Sequence, residues 1–129
     1  MTAFSVALGG AIGALLRWLV MGWAGRSLGH GFPWGTACVN VAGSLVMGLA
    51  AAALLERLPG GFGRFGPFVL SGVLGGFTTF SAFSLDALYL MERGRAGAAA
   101  VYVGGSVALS IAALAAGLAL GRAMWGAGT

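Results

Sequence analysis

Charge is what this sequence has least of. Only 8% of its 129 residues are charged while 59% are hydrophobic, and a soluble domain carries about 25% charged residues. Too few polar groups remain to cover a water-facing surface, so the composition points to a membrane protein. Lysine is absent altogether. The seven basic residues are all arginine, scattered singly, so the net charge of +4 forms no basic stripe for nucleic acid. Cys38 is the only cysteine, which excludes an intrachain disulfide and a cysteine metal cluster; in its apolar run it reads as a small buried hydrophobe. His30 stands alone in a loop, which leaves no carboxylate or histidine cluster for a lipid-modifying enzyme. The acids are Glu56, Asp86 and Glu92, and the first apolar run, "AFSVALGGAIGALLRWLVMGW", holds none of them. A small four-helix drug/proton antiporter, the main alternative reading, needs a membrane-embedded carboxylate and is therefore disfavoured.

What is present is length of apolar run. A helix needs about 20 mostly apolar residues to cross a bilayer, and four stretches qualify, at about 2–23, 34–55, 65–91 and 96–120. The connectors "AGRSLGHGFP", "ERLPGGFGR" and "ERGR" are short, so residues 1–129 are expected to form a single transmembrane domain. The start, "MTAFSVALGG", lacks a basic n-region and its apolar stretch is too long for a signal peptide, so it is expected to remain as the first span. Small residues recur four apart at Gly9 and Gly13, Ser44 and Gly48, Gly72 and Gly76, and Gly117 and Gly121. That spacing lets helices approach closely in lipid.

Loop charge sets the orientation of such a chain. Arg57, Arg64 and Arg122 belong to the side that carries both termini; Arg26, Arg93 and Arg95 belong to the other, with Arg17 near that end of the first span. This near-balance has two readings: insertion in both orientations, which permits an antiparallel homodimer, or a small bias corrected by an insertion factor. Four helices of this length enclose little volume, so a conduction path forms more naturally between two copies.

Polar residues inside the spans mark places to look for function. Arg17 reads either as a snorkelling side chain or as a fixed positive charge at a vestibule. Asn40, in "GTACVNVAGS", reads as helix–helix glue or as a pore donor. Tyr102, Ser106 and Ser110 fall at i, i+4 and i+8 on one stripe of the fourth span, although a serine can also satisfy itself on its own helix. The third span carries "GGFTTFSAF", residues 75–83. Gly75 and Gly76 weaken a helix there, and Thr78 and Thr79 compete for its backbone hydrogen bonds. A break would free carbonyls suited to a hard cation and a helix N-terminus suited to an anion. Phe80 and Phe83 share a face, and a phenylalanine ring edge carries partial positive charge. A simple glycine kink with two packing rings is the other reading.

"GGFTTFSAFSLD", with "GGAIGALLRW" and "GTACVNVAGS" upstream in the same order, resembles the bacterial fluoride-channel family (Fluc, also called CrcB), over the whole chain. The resemblance implies an all-α membrane fold of four transmembrane helices, the third broken near mid-membrane, in an antiparallel dual-topology homodimer of the bacterial inner membrane. It implies backbone carbonyls of Gly75 and Thr78 on a central structural sodium ion. Phe80 and Phe83 would line the fluoride pathways with Asn40, Ser81, Tyr102, Ser106 and Ser110, and Arg17 would stand near the vestibule. Two positions depart from the pattern: residue 82 is alanine where the family often has threonine, and the hydroxyl stripe ends at Leu114. The implied activity is passive. Fluoride that entered as hydrogen fluoride and ionised inside the cell leaves along the membrane potential, its hydration replaced by donors in a narrow pore.

Overall fold

The computed structural model describes residues 2–126, and among them every regular element is helical. Helix α1 is Thr2–Leu28 and α2 is Trp34–Ala52, which runs on through a π-helical turn at Ala53–Arg57. The third apolar stretch is composite: α3 is Gly61–Gly66, a π-helical run follows at Pro67–Leu74, then α4 at Gly75–Phe77 and α5 at Phe80–Glu92. Helix α6 is Ala96–Trp125. Four helical segments, Thr2–Leu28, Trp34–Arg57, Gly61–Glu92 and Ala96–Trp125, are long and apolar enough to cross a membrane. The chain is a multi-pass membrane protein.

Local chemistry explains where the helices stop. After α5 the Arg95 amide reaches back to the Leu90 carbonyl (2.9 Å) and the Gly94 amide to Met91 (3.0 Å), with Gly94 at φ +71°. This paired closure needs a left-handed residue, which glycine adopts without a Cβ clash. Pro33 precedes α2 and has no amide hydrogen to continue the preceding turn. Pro67 likewise withholds an amide, and the widened π register begins at that residue.

Packing is led by two partnerships. Helix α2 lies along α6, and α1 lies against Pro67–Leu74 and α4. Both contacts are backbone-close. A Cβ built on Gly9 would come 2.5 Å from the Phe68 carbonyl oxygen, and one on Gly76 would come 2.6 Å from that of Gly10. The four-residue glycine spacing therefore seats α1 on the third stretch with almost no side chain between them. The buried apolar cluster is small, comprising Phe83, Leu90, Ala99 and Tyr102 with Phe32 packed on it. Large side chains such as Phe4, Trp18 and Ile111 face outward, as expected where the solvent is hydrocarbon.

Candidate functional site

Between Phe77 and Phe80 the backbone leaves helical geometry. Thr78 sits at φ −82°, ψ 159° and Thr79 at φ −152°, ψ 122°. Two extended residues expose polar groups that a continuous helix would pair internally, so each needs a partner. The Thr78 amide still reaches the Leu74 carbonyl at 3.0 Å, and its hydroxyl donates to the same oxygen at 2.9 Å. Asn40 on α2 serves Thr79 twice: its Oδ1 accepts the Thr79 amide at 2.8 Å, and its Nδ2 donates to the Thr79 carbonyl at 3.0 Å. That double contact fixes which way the amide points, because each end meets the opposite chemistry. Thr79 Oγ1 then accepts from the Ala82 amide at 3.2 Å and caps α5. Arg17 Nη1 on α1 donates to the Thr78 carbonyl at 3.4 Å.

A cavity of about 360 Å³ opens beside this segment, lined by Asn40, Ser44, Thr78, Thr79, Phe80, Phe83, Ser106, Ser110 and apolar neighbours that end at Leu114. Asn40, Phe80, Phe83, Ser106 and Ser110 thus come from three helices to one space. The Phe80 and Phe83 rings lie 5.5 Å apart at 43°. Phe83 is buried, whereas Phe80 is 78% exposed on the outside of the chain. Ser106 is buried too. Ser81 is exposed and lies off this lining, its hydroxyl 3.4 Å from that of Thr79.

Tyr102 is placed elsewhere than on the cavity wall. It is 1% exposed, stacks on Phe83 at 5.2 Å, and its hydroxyl donates to Asp86 Oδ2 at 3.1 Å. The Thr36 hydroxyl donates to the same oxygen at 2.6 Å. Thr36 and Asp86 in turn line a second cavity of about 280 Å³, with His30, Tyr89 and Arg93 near the loops. Phe83 and Tyr102 therefore stand between an inner space and a loop-side one. Arg95 ties that side together through a hydrogen bond to the Gly31 carbonyl.

Sequence reasoning gave Thr36 and Asp86 no site role, and Thr79 only a part in weakening the helix. A signal for two of them is present. A carboxylate in an apolar span requires donors, and Thr36 precedes Asn40 by four residues, which puts both on one face of α2. Which hydroxyls meet Asp86 follows only from how α2, α5 and α6 pack.

A cation site would have to come from oxygens of the backbone, since no cluster of three histidine, cysteine or acidic side chains exists among the described residues. Gly75 fits that role: the Thr79 amide, the donor a helix would send to the Gly75 carbonyl, is turned to Asn40 instead. The Thr78 carbonyl accepts from Arg17 but has a second lone pair. Carbonyl oxygens of this kind suit a hard cation such as sodium.

Comparison with known proteins bears on this arrangement. Residues 4–118 match the family model described as "CrcB-like protein, Camphor Resistance (CrcB)". The chain is 52% identical over 122 residues to a protein of Rhizobium etli (strain CIAT 652) named "Fluoride-specific ion channel FluC", covering 95% of this chain and 97% of that one. A protein of the same name from Paracoccus denitrificans (strain Pd 1222) is 54% identical over 124 residues, 96% and 97% of the two chains. One from Agrobacterium fabrum (strain C58 / ATCC 33970) is 52% identical over 117 residues, 91% and 93%. With nearly its full length matched at half identity, and with Asn40 fastened to a non-helical pair of threonines beside two phenylalanines, the chain belongs to the CrcB family.

Proposed function

We propose that this protein is a fluoride-selective ion channel that exports cytoplasmic fluoride by passive electrodiffusion, and is not an enzyme. In this reading two copies assemble antiparallel in the bacterial inner membrane, with Thr78 and Thr79 interrupting the third span near the bilayer centre. The observation that carries the proposal is the cavity where an amide, three serine side chains and two phenylalanine rings converge from α2, α5 and α6. Names carried by relatives at 52% and 54% identity support the choice of ion.

The chemistry follows from fluoride's size and hydration. Water must be replaced by donors as the ion enters, and Ser106 and Ser110 offer hydroxyls while Asn40 retains one N–H beyond its contact with Thr79. The rings of Phe80 and Phe83 offer edges whose partial positive charge suits an anion without trapping it. Helix α5 begins at Phe80 on the cavity wall, and its N-terminal end adds a favourable field. Arg17 lends positive charge that draws anions from the vestibule. Ser81 and Tyr102 lie off this cavity lining, and in this reading they would join the path only where it continues past the cavity, Ser81 on the exposed face and Tyr102, whose proton is held by Asp86, toward the loop side. Narrowness with donors spaced for a small ion disfavours chloride. A central sodium ion held by the Gly75 and Thr78 carbonyls of both copies would supply fixed positive charge that secures the non-helical segment.

Efflux from liposomes containing the purified protein tests this reading. A fluoride-selective leak is expected, and Phe80→Ile or Phe83→Ile is expected to abolish it while the protein stays dimeric. A leak no greater than that of empty liposomes would overturn the function.

A further inference from the structure

We infer that Arg17 is a tethered competitor for the cation proposed at the third span, and that it sets how tightly that cation is held; the inference rests on the cation reading above. Its guanidinium crosses from α1 to the Thr78 carbonyl at 3.4 Å, a contact between residues 61 apart in sequence. The side chain is half-buried, and no carboxylate among the described residues neutralises it. Asp86 is engaged by Thr36 and Tyr102, and the one ion pair of the described residues joins Arg122 to Glu56. A full positive charge therefore stands one carbonyl away from the place a metal ion would occupy.

Two effects then oppose the metal. Arg17 takes one of the two acceptor positions on the Thr78 oxygen, and its charge repels a cation at short range in a poorly screened setting. Arginine does not release its proton under ordinary conditions, so only a swing of the side chain relieves the repulsion. Until a cation arrives, the same hydrogen bond keeps the Thr78 carbonyl from being left bare in an apolar surrounding, which would be costly. A single chain thus satisfies this carbonyl without metal, and the ion displaces or shares with the guanidinium as two copies close around it.

Thermal unfolding of the purified protein in detergent, titrated with sodium chloride against N-methylglucamine chloride at constant ionic strength, tests this. Wild type is expected to gain stability with sodium. Arg17→Gln is expected to reach half of that gain at a sodium concentration roughly tenfold lower, the scale of removing one nearby unit charge. Arg17→Lys keeps a charge on a shorter stem without the planar fork, and its midpoint is expected to fall by about threefold. Equal or higher midpoints in the variants would overturn the role of Arg17 and leave the cation reading standing. No sodium dependence in any of the three would overturn both. If Arg17→Gln gives no folded protein, Arg17→Lys decides by the same criterion.

Discussion

At the scale of single residues, Asn40 does more than its type requires. A lone asparagine in an apolar helix commonly bonds to a neighbouring helix; here it meets the amide and the carbonyl of one residue, as a β-strand partner would. Asn40→Ala leaves both Thr79 groups unpaired. It is expected to lower stability by about 2 kcal/mol and to remove fluoride flux. Thr79→Val keeps both backbone contacts and loses the cap on Ala82 and the 3.4 Å contact with the Ser81 hydroxyl, so about 1 kcal/mol is expected. Chemical or thermal unfolding in detergent, with efflux measured alongside, checks the ordering, and equal losses would remove the two-point role of Asn40. How much of this was legible in the sequence differs by residue. The presence of Asn40 in an apolar span flagged it at once, because an amide there needs partners. Its partner could not be read, since Thr79 lies 39 residues away and the pairing depends on Gly43, where an added Cβ would meet Phe77 Cδ1 at 3.1 Å. Tyr102 shows the opposite limit. Spacing alone sets it on the stripe of Ser106 and Ser110, but its longer side chain carries the hydroxyl away to Asp86.

At the scale of elements, hydropathy identified the four spanning segments, because in lipid the apolar run is itself the structural requirement. Their ends were harder to read. Helix α1 continues past residue 23 to Leu28 because "AGRSL" contains no proline and its one glycine, Gly25, stays helical; the stop comes at Gly29, which turns left-handed at φ +82°. The third segment begins at Gly61, following a left-handed Gly60. Nothing in the residue pattern announced the π-helical run at Pro67–Leu74, since a hydrogen-bond register wider by one residue leaves hydropathy unchanged. That run faces α1 across a glycine seam. Gly76→Ala would drive a methyl into the Gly10 carbonyl, and the resulting shift is expected to cost about 1–3 kcal/mol. Gly104→Ala, at a position with open space around it, is the control expected to change little. Melting temperatures of the two variants in the same detergent provide the comparison, and similar values would argue against a tight seam.

At the scale of the whole molecule, charge balance becomes a statement about insertion. Three arginines lie toward the termini side and three toward the other loops, and only Arg122 is paired with an acid among the described residues. In the proposed dual-topology assembly, a single cysteine at Gly97 in a Cys38→Ala background is expected to react with an impermeant maleimide from both faces of the membrane, in roughly equal amounts. Labelling from one face alone would exclude two orientations. Replacing Leu58 and Gly63, the latter helical with open space around it, with lysine is expected to bias the same assay toward one face.

The long-range partners of the two extended threonines also share a direction in the chain. Arg17 and Asn40 both precede Thr78 and Thr79. Synthesis runs from the N-terminus, so when this awkward pair leaves the ribosome both distant partners have already been made, and only the Ser81 and Ala82 contacts of Thr79 are still to come. The interrupted stretch of backbone is delivered to a reception that is already in place. A circularly permuted gene that placed residues 61–126 first would reverse that order, and it would bring the Thr78 carbonyl and both peptide groups of Thr79 to the membrane ahead of Arg17 and Asn40, which accommodate them.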